Sequence, residues 1–277
     1  MKKLSLLAIL LVATVVFSSC GNKNYKGYKQ AENGVYYQVL EQGDVNGKTP
    51  QLGNFLYITA SYFSNNDSIQ KFEERDLVDV MRDHAFEGDI YDAYSIMHEG
   101  DHMKFAIKAD SFFIAMGISL EQLPFSISDE DVIYFDVKMN KIKTEEDFQQ
   151  EEAEATAQYI ADNNITVEPT ASGLYFIKTQ DGKGKMASIG DTLVVEYTGK
   201  FLDGQTFDSS VGREPLTFVL GSQPMIPGFE EAVQMMNKGT KATILLPSAL
   251  AYGASNPSSP IPPYSALVFD LEMVDIK

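Results

Sequence analysis

Apolar and polar positions alternate with a period of two near the end of the chain. There Leu267, Phe269, Leu271 and Met273 interleave with Val268, Asp270 and Glu272, which predicts a strand with one wet face. Ile133, Phe135, Val137 and Met139 carry the same alternation in the first half. Val194, Val195 and Tyr197 suit another half-buried strand, and Leu202-Asp203-Gly204 after it is turn chemistry. After Pro227-Gly228 the period changes: Phe229, Ala232, Val233 and Met236 recur at helical spacing, with Gly239 placed as a C-terminal cap. Ile90, Ala93, Tyr94, Met97 and Gly100 repeat that helix in the first half.

These elements belong to an internal repeat. "GVYYQVLEQGD" from Gly34 matches "GLYFIKTQDGK" from Gly173, and "GNFLYITASYF" from Gly53 matches "GDTLVVEYTGKF" from Gly190. "IYDAYSIMHEGDHMKFAI" from Ile90 matches "FEEAVQMMNKGTKATILL" from Phe229, and "VIYFDVKMNKI" from Val132 matches "ALVFDLEMVDI" from Ala266. Four matches in one order at nearly constant offsets predict two copies of one domain, residues 34–143 and 169–277. Several antiparallel strands with one short amphipathic helix predict an α+β domain, a curled antiparallel sheet around the helix.

A length of 277 residues suits two domains, and 44% hydrophobic residues suffice for two cores. The formal net charge of -17 and the lack of a basic patch with interleaved aromatics argue against nucleic acid as a partner, because phosphate binding needs clustered Lys and Arg. Lys2 and Lys3 precede an apolar run from Leu4 to Phe17 that is shorter than the roughly 20 residues of a spanning helix. The run stops at "FSSC", whose Cys20 is the chain's single cysteine, so no intrachain disulfide forms. This start resembles a bacterial lipoprotein signal over residues 1–19, with Cys20 as the lipidated anchor. Phe17 is bulkier than the leucine usual three residues before that cysteine, and ordinary secretion with a leftover thiol is the other reading. The resemblance places the protein in the bacterial envelope. The lack of an early acidic cluster after Cys20 favours an outer membrane anchor facing the periplasm over surface exposure. Residues 20–33 read as a polar tether.

Between Thr144 and Glu168 there are eight acidic residues and no Lys or Arg. The stretch predicts an acidic connecting helix over residues 144–168, ending near Asn163-Asn164. Its apolar stripe of Phe148, Ala155 and Tyr159 is thin, which favours a solvated helix over a homodimer interface.

The second copy resembles an FK506-binding-protein (FKBP)-type peptidyl-prolyl cis-trans isomerase. The resemblance rests on "VEYTGKFLDGQTFDSS", "PLTFVLGSQPMIPGFEEAVQMMNKG", "LPSALAYG" and "IPPYSALVFDLEMVDI". It implies two tandem domains of that fold, the first degenerate, and a pocket for the proline of an unfolded or exported polypeptide. Carried over position by position, it implies that Tyr197, Asp208, Ile226 and Tyr252 act on the bond, with Asp208 a buried carboxylate partnered by Tyr197. Phe207, Met225, Phe229, Ile261 and Phe269 then line the pocket. Neither cofactor nor metal is implied. An FK506-like macrolide site is, weakened by Phe229, which stands where relatives commonly carry Trp. Leu216 replaces a common aromatic, and Pro257 and Pro260 stiffen the loop before Pro263.

In the first copy Ala60 matches Tyr197, Phe113 matches Tyr252, and Phe72-Glu73 is a weak counterpart of Phe207-Asp208, so this copy is expected to fold without isomerising. "HEGDH" offers His98 and His102 four apart, but Gly100 interrupts the helix that a metal pair would need. A non-catalytic binding or chaperone lipoprotein built on the same fold is the alternative function.

Overall fold

The computed structural model describes residues 23–222, 225–254 and 260–277, and the chain divides into two compact units, Met1–Thr144 and Glu145–Lys277. The signal segment, Cys20 and Pro257 lie outside the described residues.

The first unit runs β1 (Lys29–Gln30), β2 (Tyr36–Glu41), β3 (Phe55–Ser64), β4 (Phe72–Val80), α1 (Ile90–Ser95), β5 (His102–Lys108), α2 (Ala109–Ala115) and β6 (Val132–Lys143). The second runs α3 (Glu145–Asp162), β7 (Tyr175–Gln180), β8 (Lys183–Met186), β9 (Thr192–Phe201), β10 (Thr206–Ser209), β11 (Leu216–Val219), α4 (Pro227–Gln234), β12 (Asn237–Lys238), β13 (Lys241–Leu246) and β14 (Leu267–Ile276).

Both sheets are antiparallel and share one strand order. It is β2-β5-β6-β3-β4 in the first unit and β7-β13-β14-β9-β10 in the second, with β11 also pairing on β9. The register agrees as well: Ala60 pairs with Val137 as Tyr197 pairs with Leu271, and Tyr62 with Phe135 as Gly199 with Phe269. In each unit the inward face of the sheet packs on the short helix. Leu56, Ile58, Phe105 and Met139 meet Ala93 and Met97 of the α1 segment, while Val195, Ile244 and Leu271 meet Ala232, Val233 and Met236 of the α4 segment. Each large side chain so buried is worth about 1.5–3 kcal/mol before the entropy cost of ordering it.

The structure corrects two sequence readings. Residues 23–33 are no free tether: β1 pairs with β2, Tyr25 stacks on Tyr36 at 3.9 Å between centroids, and the Tyr134 hydroxyl donates to the Asn24 carbonyl at 2.9 Å. The aromatic surface of Tyr25 and Tyr28 joins Ala106 and Val132 in a small cluster, which polar composition alone concealed. Gly239 and Gly100 do not cap helices. The α4 helix stops at Gln234 and α1 at Ser95, and these glycines, at φ of +86° and +92°, make the turns into β13 and β5.

The α3 helix ends at Asp162 with Asn164 at φ +50° and is mostly exposed, as the sequence reading has it, while one face packs within the second unit. Phe148 is buried and stacks on Tyr264 at 5.2 Å, and the Glu152 carboxylate accepts hydrogen bonds from both the amide and the hydroxyl of Ser248. Phe148 and Glu152 are four apart and share one helix face, so the thin stripe suffices once a carboxylate adds its own contacts.

The three histidines turn to separate carboxylates. His84 meets Asp92 at 3.0 Å, His98 lies 3.4 Å from Asp101, and His102, on β5, meets Asp136 at 2.5 Å.

Candidate functional site

Consecutive residues of a regular strand point to opposite faces, so Phe207 and Asp208 should not both reach one cavity. They do because the β9–β10 ladder slips between Thr206 and Asp208. A bulge of this kind re-aims a side chain, and here it turns ring and carboxylate into the same space. Gly199, opposite Asp208 on β9, leaves that space open. A Cβ there would sit 2.6 Å from Phe207 Cζ and 2.9 Å from Phe269 Cε1.

The resulting cavity of about 310 Å³ is lined by Tyr197, Phe207, Asp208, Leu216, Met225, Ile226, Phe229, Tyr252 and Phe269. Its rings meet mostly edge to face: Phe207 on Phe269 at 5.6 Å and 88°, Phe229 on Phe269 at 5.9 Å and 81°, and Tyr197 on Phe229 at 6.1 Å and 89°. Such pairs are worth about 0.5–1.5 kcal/mol each beyond area burial and fix the ring orientations. Phe229, on the first turn of α4, is buried and backed by Phe218 of β11. Ile226 precedes Pro227 in extended conformation, ψ 135°, as a residue before proline must, and so delivers its side chain to the cavity at the helix start.

The polar side is a chain of three residues. The Tyr197 hydroxyl donates to Asp208 Oδ2 at 2.5 Å, and Arg213 Nη2 donates to Asp208 Oδ1 at 2.7 Å and to the Ser209 carbonyl. The Ser209 amide adds a third donor to Asp208 Oδ1 at 2.9 Å. The hydrogen bond from Tyr197, then the Arg213 guanidinium, hold the Asp208 carboxyl below the usual carboxylate range. Burial, and next the Asp208 carboxylate, push the Tyr197 hydroxyl up to about 12. Tyr252, 48% exposed, stands at the rim, its hydroxyl also raised by burial and by Asp208.

Eight of the nine expected pocket residues therefore line one cavity. Ile261 is not among them: it is 7% exposed and belongs to the core cluster that also holds Phe229 and Phe269. Asp208 is not the buried carboxylate expected from its aromatic neighbours. Its side chain is 47% exposed, at a wall of the cavity, and its second charged partner, Arg213, was missed because nothing in the period of "SSVGREP" singles it out. Leu216, noted only as a departure from an aromatic, is a lining residue.

The loop that carries Tyr252 is tied down at both ends by α3. Glu152 holds Ser248 at the start of the 3-10 turn Ser248–Leu250, and the Gly253 amide donates back to the Ser248 carbonyl at 2.9 Å. At the far end Tyr264, at φ +53°, donates its amide to the Gly253 carbonyl at 2.8 Å while its ring stacks on Phe148. Glu152→Ala removes two charge-assisted acceptors from Ser248, worth about 1.5–3 kcal/mol each at most. The expected result is a lower melting temperature for the second unit and loss of fixed geometry at Tyr252, read as a broadened Tyr252 ring signal in NMR. An unchanged melt and an unchanged ring signal would mean the clamp carries no load.

Residues 183–274 match the family model described as FKBP-type peptidyl-prolyl cis-trans isomerase, a span that includes every lining residue of this cavity. Over that span, within its second unit, the chain is similar to this family. The FKBP match extends to individual proteins. The FKBP-type 22 kDa peptidyl-prolyl cis-trans isomerase of Escherichia coli (strain K12) is 42% identical over 111 residues, 40% of this chain and 53% of that protein. The FKBP-type isomerase FkpA of the same strain is 41% identical over 112 residues, 40% of each chain. The crystal structure of FkpA from Escherichia coli aligns at 35% identity with a TM-score of 0.40, over 47% of this chain and 62% of that one. The chain thus spans about half or less of the length of these curated FKBP relatives.

Proposed function

We propose that the protein is a peptidyl-prolyl cis-trans isomerase whose second unit binds X-Pro segments of unfolded or exported polypeptides in the ring-walled cavity. The observation that carries the proposal is the joint presence, in one 310 Å³ cavity, of the Phe207–Phe229–Phe269 cage and the Tyr197–Asp208 hydrogen bond. An X-Pro bond rotates slowly because amide resonance must be broken, a barrier of roughly 18–20 kcal/mol. Twisting the bond reduces the charge separation of the amide. A cavity of ring edges stabilises that less polar state relative to the planar amide, which water solvates better. Phe207, Phe229, Ile226, Met225 and Phe269 hold the proline ring. The Tyr252 hydroxyl and the Ile226 amide orient the flanking carbonyls, and Asp208 with Tyr197 forms the polar wall. Lowering the barrier by about 5 kcal/mol gives several thousandfold acceleration.

No proton moves in this reaction, and the pKa directions make that testable. Asp208, held below the ordinary carboxylate value, stays ionised at neutral and mildly acidic pH, and Tyr197, at about 12, stays protonated through mild alkali. The expected kcat/KM is flat from about pH 5 to about pH 9, falling only as acid titrates Asp208. The same group stabilises the fold above its ordinary carboxylate pKa and ceases to do so as pH falls through its lowered folded value. A limb centred between about pH 6 and about pH 8 would contradict the mechanism.

The envelope location and the lipid anchor on Cys20 belong to this proposal, supported by the charged start, the short apolar run and the lone cysteine. Cys20→Ser is expected to move the protein from the membrane fraction to the soluble envelope fraction. Retention in the membrane fraction would rule the anchor out. Homodimerisation and macrolide binding have weaker support, since α3 packs its Phe148 face within its own unit and Phe229 supplies less ring area than Trp.

A further inference from the structure

The first unit keeps a cavity at the same place on its sheet, of about 510 Å³ against 310 Å³ in the second unit. Its walls are rebuilt. Ala60 takes the register position of Tyr197, and Tyr62 takes that of Gly199. Phe72 pairs with Tyr62 where Asp208 pairs with Gly199, so an aromatic ring stands where the second unit has its carboxylate. Glu73 is turned into solvent on Lys71, so no Phe-Asp pair exists here. Phe112, not Phe113, enters the cavity, against Tyr62 at 6.2 Å and Phe135 at 5.6 Å. The Tyr62 ring stacks on Phe72 at 5.4 Å and 7° and meets Phe135 at 5.4 Å.

We infer that this cavity is a second binding site, which takes a large aromatic or aliphatic side chain of an extended polypeptide segment, without requiring proline and without isomerising it. Three features decide the ligand class. With no counterpart of the Tyr197 hydroxyl or the Asp208 carboxylate, Ala60, Tyr62, Phe72, Tyr94, Phe112 and Phe135 form a mostly apolar wall around a cavity larger than that of the second unit and within the size range of ligand pockets, and the buried Asp89 on its lining is spent on the amides of Ala85, Tyr91 and Asp92. At the mouth, Asp79 is engaged by the Val80 amide at 2.8 Å and by Tyr91, while Arg82, 3.9 Å from it, is largely exposed, so a carbonyl of a peptide backbone finds a donor beside the cage. On the other side the apolar lining continues outward over Ala115 and Met116, with Ile114 and Met116 both exposed, which extends the contact along a chain beyond one side chain. The inference rests on the proposed polypeptide-binding role of the matching cavity in the second unit, and it gives the protein one site for proline and one for a bulky side chain.

The test uses the full chain with the Met methyl groups labelled for NMR. The probe is a proline-free pentapeptide, Ala-Ala-Phe-Ala-Ala with blocked ends, beside the same peptide with Ala in place of Phe. The expected result is a saturable shift of the Met116 methyl with the Phe peptide, at least tenfold weaker with the all-Ala peptide. Ala115→Trp, an exposed change that obstructs the mouth and leaves the core untouched, is expected to weaken the Phe peptide at least tenfold and to leave isomerisation of an X-Pro-Phe peptide unchanged. Asp208→Ala is expected to leave the Met116 response unchanged. No saturable shift at Met116, binding insensitive to Ala115→Trp, or binding that disappears with Asp208→Ala would each overturn the inference. A Met116 response in a protein without isomerase activity would uphold this site and reject the proposed catalysis.

Discussion

Gly199→Ala is expected to lower kcat/KM by about a hundredfold in a protein that still folds. The added methyl would lie 2.6 Å from Phe207 Cζ and 2.9 Å from Phe269 Cε1, so both rings must move. Displacing positioning groups by about 1 Å is enough for a loss of that order. The stability cost of such overpacking is about 1–3 kcal/mol, a lowered but cooperative melt. The first unit supports the expectation, because Tyr62 fills the equivalent register position and its ring lies on Phe135 where the second unit is open. Near-normal activity in folded Gly199→Ala would mean that the Phe207 and Phe269 rings do not define the site.

Asp208→Ala is expected to cost on the order of thirtyfold in kcat/KM. It removes the acceptor of the 2.5 Å hydrogen bond from Tyr197 and leaves Arg213 held by the Ser209 carbonyl, so the polar wall loses its charge-assisted link to the ring cage. A hydrogen bond to a charged group is worth about 2 kcal/mol, which corresponds to that factor. Because Asp208 is 47% exposed, the fold should lose little, and the melt should shift by a few degrees at most. A large fall in stability with a proportionate fall in activity would recast Asp208 as a structural residue. Unchanged activity would remove it from the mechanism.

Much of this architecture is written in the chain because the repeat exposes it twice. Leu267 to Met273 and Ile133 to Met139 alternate with a period that only a half-buried strand satisfies, and they occupy equivalent strands of two sheets with one order. The cavity was legible through the family resemblance, with Phe207 beside Asp208 the one oddity that the residue pattern itself exposed. What remained hidden depends on backbone geometry or on long-range partners. The bulge at Phe207 has no periodic signature, since its effect is to break the period. Arg213 reaches Asp208 across a turn, and Ile261 packs in the core cluster and does not line the cavity that the resemblance assigned it to. The aromatic pair Tyr25 and Tyr28 was outweighed by polar neighbours until β2 gave it a surface to cover. Glu152 looked like one more solvated acid of α3, and its role comes from Ser248, 96 residues away.

The most direct test of the central claim is the rate of cis/trans isomerisation of short X-Pro-Phe peptides by the protein, beside its Asp208→Ala and Tyr252→Phe variants. Acceleration that falls in both variants, with their folds intact, is the result expected of a proline site built on Tyr197, Asp208 and Tyr252. A well-folded protein that does not accelerate the reaction, or one whose activity ignores both substitutions, would contradict it.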